Sequence, residues 1–271
     1  MSGPIVITGM HRSGTSLLAS LLRSSGLHLG DRLLPPSQAN QPGYFEDVDF
    51  IGLHDRALKR LGRSMYDPPD STGSFDGDVL DDAQSLLEKS ADQAPWGWKD
   101  PRSALFLEQW LRLAPDAQFV FVYRHPTQVI HSLRRRGDAE LQWQYPGAAS
   151  VASLGGLRFR IAKAASMWIQ YNRRIVEFTR KHPEQSTILP LDNLSAFVPP
   201  VLTHFRGLGY PLQADVDVKS IEQTELMVKS TPWWINWYCE QSFAMQHLLQ
   251  ELHELAAASR SEEHTSELQS R

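Results

Sequence analysis

The sequence has a single cysteine, Cys239, in 271 residues. One thiol excludes an internal disulfide framework, and the expectation is a cytoplasmic protein of a reducing compartment. A strong charge excess is missing too: 27 basic residues stand against 31 acidic ones, a formal net charge of -4. Nothing global therefore points to nucleic acid, and any anion site has to be assembled locally. Long hydrophobic runs are also lacking. "PIVIT" (4–8) and "FVFVY" (119–123) are of strand length, far below the roughly 20 residues of a membrane-spanning helix, so no transmembrane segment is expected. The first residues enter a strand pattern without signal-peptide architecture. What the chain does have is 41% apolar residues, enough for a substantial core.

The two apolar runs are uninterrupted and β-branched or aromatic, as expected of parallel strands buried on both faces; "STILPL" (186–191) is a weaker third candidate. Between them apolar residues take helical spacing, in Leu17, Leu18, Leu21 and Leu22 and again in Leu105, Phe106, Trp110 and Leu113. Strands alternating with helices predict an α/β domain with a mostly parallel sheet. A long helix is expected over 157–182, and a second, aromatic one after Pro232, containing Trp234, Trp237, Tyr238, Met245, Leu248, Leu249 and Leu252, both packed in the core. Three stretches, 31–47, 62–78 and 137–156, read as long loops of the lid or substrate-binding kind. Residues 1–259 are expected to form one domain, and the polar, aperiodic 260–271 reads as a non-native or disordered tail.

The chemistry begins at "GMHRSGTS" (9–16), directly after the first strand. Gly9 and Gly14 allow a tight turn that brings backbone N–H groups close to an anion, and Thr15-Ser16 opens a helix whose N-terminus carries about half a positive charge. A nucleotide-hydrolysing loop would follow the second glycine with lysine; here Thr15 stands there, and the loop's cation is Arg12. The second strand ends in Arg124-His125-Pro126 instead of a magnesium-binding aspartate. An arginine at the carboxyl end of a parallel strand points into the ligand crevice and attracts phosphate. Thr127 is a candidate cap for the following helix, and Ser132 falls on its second turn, within reach of the same phosphate.

"ITGMHRSGTSLL" (7–18) and "FVFVYRHPTQVIHSL" (119–133) together resemble the two cofactor motifs of sulfotransferases that use 3'-phosphoadenosine-5'-phosphosulfate (PAPS). "NQPGYFEDVDFIGLHDRAL" (40–58) and "WGWKDPRSALFLEQW" (96–110) are similar to segments of the bacterial and carbohydrate-type branch, with weaker support from "MWIQYNRRIVEF" and "ILPLDNL". The resemblance implies a three-layer fold like that of P-loop nucleotidases, with Arg12, Ser13, Gly14, Thr15 and Ser16 on the 5'-phosphosulfate and Arg124 and Ser132 on the 3'-phosphate. It implies PAPS as co-substrate and no metal.

Sulfuryl transfer needs a general base in line with the sulfur. The histidine that cytosolic members use is replaced by Lys99-Asp100-Pro101. Glu46 matches the glutamate of carbohydrate-type members and is the first choice, with Asp100 second and His11 and His54 behind. The alternative for Glu46 is a charge that stabilises the N-terminus of the next helix. Lys99 is placed near the sulfuryl oxygens, and Arg102 adds positive potential. The acceptor is a hydroxyl or amine, with a mild preference for carbohydrate over lipid or small-molecule acceptors; Tyr44, Trp143 and Tyr145 are candidate stacking residues. Oligomeric state is not readable. A P-loop kinase or hydrolase and a non-catalytic nucleotide-binding member stand as alternatives.

Overall fold

The computed structural model describes residues 2–36, 43–144, 154–213 and 230–269, with side chains described outside 136–160 and 260–269. Its centre is a parallel sheet of four strands: β1 (Ile5–Thr8), β2 (Gly97–Lys99), β3 (Gln118–Tyr123) and β4 (Ser186–Pro190), in the order β2-β1-β3-β4. The three candidate strands are all present. The fourth, "GWK", is too short to stand out by pattern, and its register beside β1 is Ile5 to Gly97, Val6 to Trp98 and Ile7 to Lys99.

Alternation along each strand sorts the side chains into two cores. Ile5, Ile7, Val120, Val122 and Leu189 face one side, against α1 (Thr15–Ser24) and α7 (Leu194–Gly207). Val6, Trp98, Phe119, Phe121, Tyr123 and Ile188 face the other. There they meet α2 (Val48–Arg60), α3 (Gly77–Ala91), α4 (Leu107–Leu113) and α6 (Leu154–Lys181). The result is a three-layer α/β fold, with only aliphatic strand residues on one face of the sheet and all the strand aromatics, beside Val6 and Ile188, on the other. Parallel connections leave the carboxyl ends of β1, β2 and β3 on one edge, which is where ligands bind in such sheets.

Three expectations need correction. The stretch 137–156 is not one loop: α5 (Pro126–Gln144) runs through its first part, where Ala, Glu, Leu and Gln favour helix, and α6 begins at Leu154. Tyr145 and the side chain of Trp143 lie outside the described residues. Helix α5 starts at Pro126, a favoured first position, so Thr127 is inside the helix and not its cap; its hydroxyl lies 2.8 Å from His125 Nδ1.

The aromatic segment after Pro232 is two helices, α8 (Trp233–Glu240) and α9 (Phe243–Gln269). The break falls at Gln241-Ser242, where the Ser242 carbonyl accepts from Met245 and Gln246 to start the new helix. Met245, Leu248, Leu249 and Leu252 are core residues as expected, but Trp237 is 58% exposed. Among the described residues, no helix is long and apolar enough to cross a membrane.

Candidate active site

The loop between β1 and α1 has the geometry of an anion cradle. Gly9 has φ +150°, and a Cβ there would sit 2.3 Å from the Val122 carbonyl oxygen. Gly14 has φ +94° and serves as N-cap of α1 with no side chain capping the helix. Leu17 and Leu18 donate to the Gly14 carbonyl, whereas the N–H groups of Thr15 and Ser16 precede any intrahelical partner. Ser13 is fully buried, and its Oγ has no hydrogen-bond partner among the described residues. A buried hydroxyl without a partner costs stability unless something fills the role, and a bound anion would.

Arg12 adopts φ +69°, a left-handed backbone that costs a non-glycine residue on the order of 1–2 kcal/mol. That conformation carries its guanidinium to Ser132, with Nε donating to Oγ at 2.9 Å. Arg124, at the end of β3, donates from a terminal nitrogen to the Arg12 carbonyl at 3.4 Å and through Nε to Gln128 at 2.5 Å. Burial depresses the Arg124 pKa; Asp192 opposes that and the Arg12 charge adds to it. Arg12, Arg124 and Ser132, far apart in sequence, therefore converge, and two guanidiniums share a region that an anion would stabilise.

A cavity of about 450 Å³ opens in front of this loop, lined by Arg12, Gly14, Thr15, Ser16, Glu46, Lys99, Arg102 and Arg124 among others. Ser13, Asp100 and Ser132 do not line it. A second cavity, of about 420 Å³, shares Arg124 and Leu191 with the first and adds Tyr123, His125, Asp192, Asn193 and His253.

Glu46 is buried and faces Lys99, whose Nζ donates to its Oε1 at 2.5 Å and to Ser16 Oγ at 3.3 Å. The helix-stabilising role set as the alternative for Glu46 belongs to its neighbour: Asp47 is the N-cap of α2 and accepts from Asp49 N at 2.8 Å. Burial raises the Glu46 pKa above its ordinary value; Lys99 pulls the other way and the nearby Asp100 charge adds to the rise. The result is a carboxylate in the cavity that holds a proton more readily than an exposed glutamate.

Asp100 has a different position. It is fully buried behind the cavity, accepting from Arg102 N at 2.8 Å, from the Arg102 guanidinium at 3.0 Å and from His54 Nδ1 at 3.0 Å. Burial alone would raise its pKa, but Arg102 and His54 outweigh burial and hold it well below the usual carboxylate range. His54 is fully buried, and its Nε2 accepts from Trp110 Nε1 at 3.0 Å, which fixes its proton on Nδ1. Arg102 is also held by Asp55 at 2.8 Å. These partners orient Arg102 and the short 3₁₀ turn Pro101–Leu105 that carries it.

Breaking such a buried set leaves charge uncompensated, so Asp100→Asn is expected to cost about 3 kcal/mol at pH 7, measured by urea unfolding. Because the folded pKa is depressed, that contribution is present above pH 3.8 and is lost as pH falls through the folded value, so the two proteins should converge in acid.

His11 lines the cavity, with Nε2 at 3.3 Å from the Tyr171 hydroxyl. That hydroxyl donates to the Met65 carbonyl at 3.0 Å, so it can only accept from His11, whose Nε2 carries the proton. The stretches 31–47 and 62–78, expected as lid or substrate-binding loops, do line the cavity, but their residues Leu34, Pro35, Pro36 and Met65 were not singled out by the sequence. They sit in the proline-rich stretches "LLPP" and "SMYDPP", where no periodic pattern marks them.

Residues 4–191 match the sulfotransferase family. Among solved structures, a sulfotransferase of Mycobacterium tuberculosis H37Rv, STF1, is similar at 15% identity and TM-score 0.46, over 93% of this chain and 76% of that one. The sulfotransferase domain of the olefin synthase of Synechococcus PCC 7002 is similar at 18% identity and TM-score 0.45, over 95% of each chain. No curated protein matches. The family match spans well over half of the sequence and contains both anion motifs, Glu46 and Lys99, and on that ground the chain belongs to the sulfotransferase family.

Proposed function

We propose that the protein moves a sulfuryl group from PAPS to an acceptor hydroxyl or amine by in-line displacement, with Glu46 as general base. The observation that carries this reading is the convergence on one cavity of an uncapped helix N-terminus, four cations (Arg12, Lys99, Arg102 and Arg124) and one buried carboxylate of raised pKa. Family membership supports sulfuryl transfer independently of that geometry.

PAPS, when bound, supplies the sulfuryl group and leaves as adenosine 3',5'-bisphosphate. The loop fits such an anion: Thr15 and Ser16 line the cavity at the N-terminus of α1, and the buried Ser13 hydroxyl beside them has no partner among the described residues. Ser13, Gly14, Thr15 and Ser16 would hold the 5'-phosphosulfate, Arg124 and Ser132 the 3'-phosphate, and the second cavity beside Arg124 the nucleoside.

Arg12 neutralises charge but cannot release a proton, so its contribution is electrostatic. Lys99 has three N–H donors. Two hold Glu46 and Ser16, and the third is assigned to a sulfuryl oxygen. Glu46 takes the acceptor proton, and the Lys99 charge keeps it ionised until then. A transferring sulfuryl group carries less negative charge than a phosphoryl group, so these cations suffice and no metal is assigned.

The test is transfer from sulfur-labelled PAPS across an acceptor panel in the presence of a chelator. Labelled product with matching release of the bisphosphate is expected. Bisphosphate binding with no transfer to any acceptor would favour a non-catalytic nucleotide-binding role.

A further inference from the structure

Resting on the sulfuryl-transfer reading, we propose that the acceptor is an alcohol or phenol with a hydrocarbon body, in place of the carbohydrate that the sequence mildly favours. Apart from the anion loop and the cations at the strand ends, the cavity wall includes Leu34, Pro35, Pro36, Tyr44 and Met65. Leu34 is tied to the base itself, since its N–H donates to the Glu46 carbonyl at 2.7 Å. Both residues line the cavity, so an acceptor held at Glu46 shares it with Leu34.

Three backbone polar groups along this wall are already engaged. The Leu34 N–H is taken by Glu46, the Tyr44 carbonyl accepts from Ser16 Oγ at 3.3 Å, and the Met65 carbonyl accepts from Tyr171. Pro35 and Pro36 have no N–H to offer. Of the charged lining, Lys99 is committed to Glu46 and Ser16, and Arg102 to Asp100 and Asp55. A sugar brings several hydroxyls that lose water on entering and need partners in return, and the described residues of this wall supply few. A hydrocarbon body has one hydroxyl to satisfy, which Glu46 does, and buries its apolar surface against Leu34, the prolines and Met65.

In the transfer the acceptor oxygen bonds to sulfur as the bond from sulfur to the phosphate oxygen breaks. The electron pair leaves with adenosine 3',5'-bisphosphate, and the hydroxyl proton passes to Glu46.

The experiment compares octan-1-ol and 2-naphthol with glucose and maltose as acceptors of label from PAPS, with bisphosphate affinity measured on the same protein. The expected result is kcat/KM at least about a hundredfold higher for the apolar pair. Equal or faster transfer to the sugars, with bisphosphate bound normally, overturns the acceptor class and leaves sulfuryl transfer intact. Failure to bind bisphosphate at all overturns the sulfuryl-transfer reading, and this proposal with it.

Two variants localise the effect. Leu34→Asn and Met65→Gln should each raise KM for octan-1-ol by about tenfold with kcat little changed, since they remove binding common to ground and transition states. Bisphosphate affinity, expected to be unaltered, shows that each variant is folded. An unchanged KM in both would contradict the placement of the acceptor body on this wall.

Discussion

Glu46→Gln is expected to reduce transfer by about a thousandfold while adenosine 3',5'-bisphosphate still binds. Glutamine keeps the size of the side chain and an oxygen that can accept from Lys99, but it cannot take a proton. The change therefore falls on kcat, and the nucleotide site of Arg124, Ser132 and the loop is left as it is. The pH profile adds a second readout. Transfer needs ionised Glu46 and so rises with pH. Because burial raises the Glu46 pKa and the nearby Asp100 charge adds to it against the pull of Lys99, the acid limb of kcat/KM lies above pH 4.5. In Glu46→Gln that limb disappears from the residual rate. The stability sign is the reverse of that for Asp100: the raised folded pKa of Glu46 favours the folded state in acid, and that contribution fades as pH rises through it. A full rate in Glu46→Gln would remove Glu46 from the role of base, and Asp100, buried outside the cavity, could replace it only after a rearrangement of Arg102 and His54.

Arg124→Met is expected to weaken bisphosphate binding by about a hundredfold or more, the scale of losing one partner of a buried charged contact. The discriminating measurement pairs two ligands by calorimetry. Adenosine 3',5'-bisphosphate should bind the parent protein far better than adenosine 5'-monophosphate, and Arg124→Met should erase most of that preference, because Arg124 is assigned to the phosphate that only the first ligand carries. Equal weakening of both ligands would show instead that Arg124 serves the loop through the Arg12 carbonyl that it holds.

Much of the fold was legible in the sequence, for physical reasons that particular elements make plain. "PIVIT" and "FVFVY" are buried on both faces, so all but Thr8 are apolar or aromatic and the run is visible. "GWK" is equally buried but only three residues long, and its lysine, an unusual residue for a buried strand, is there because of Glu46. The break between α8 and α9 falls in the polar run Glu240-Gln241-Ser242, where Ser242 restarts the helix, and α7 tolerates Pro199-Pro200 in its interior, which local rules disfavour. At the site, Arg12 and Arg124, singled out by the anion motifs, and Glu46 and Lys99, singled out by the family resemblance, line one cavity. Two features were not legible. Asp100 looked like a possible base until its partners Arg102 and His54 were seen. The wall of Leu34, Pro35, Pro36 and Met65 depends on how two proline-rich loops fold over the cavity, which no periodicity encodes.

The most direct measurement is thermal stability with adenosine 3',5'-bisphosphate in the presence of a chelator, set beside ATP with magnesium. A PAPS-binding cradle predicts that the bisphosphate raises Tm without any divalent cation, approaching about 2.7 kcal/mol of stabilisation at one hundred times its Kd, and that ATP with magnesium does much less. Stabilisation by ATP with magnesium and none by the bisphosphate would contradict it and identify a nucleotide-dependent kinase or hydrolase instead.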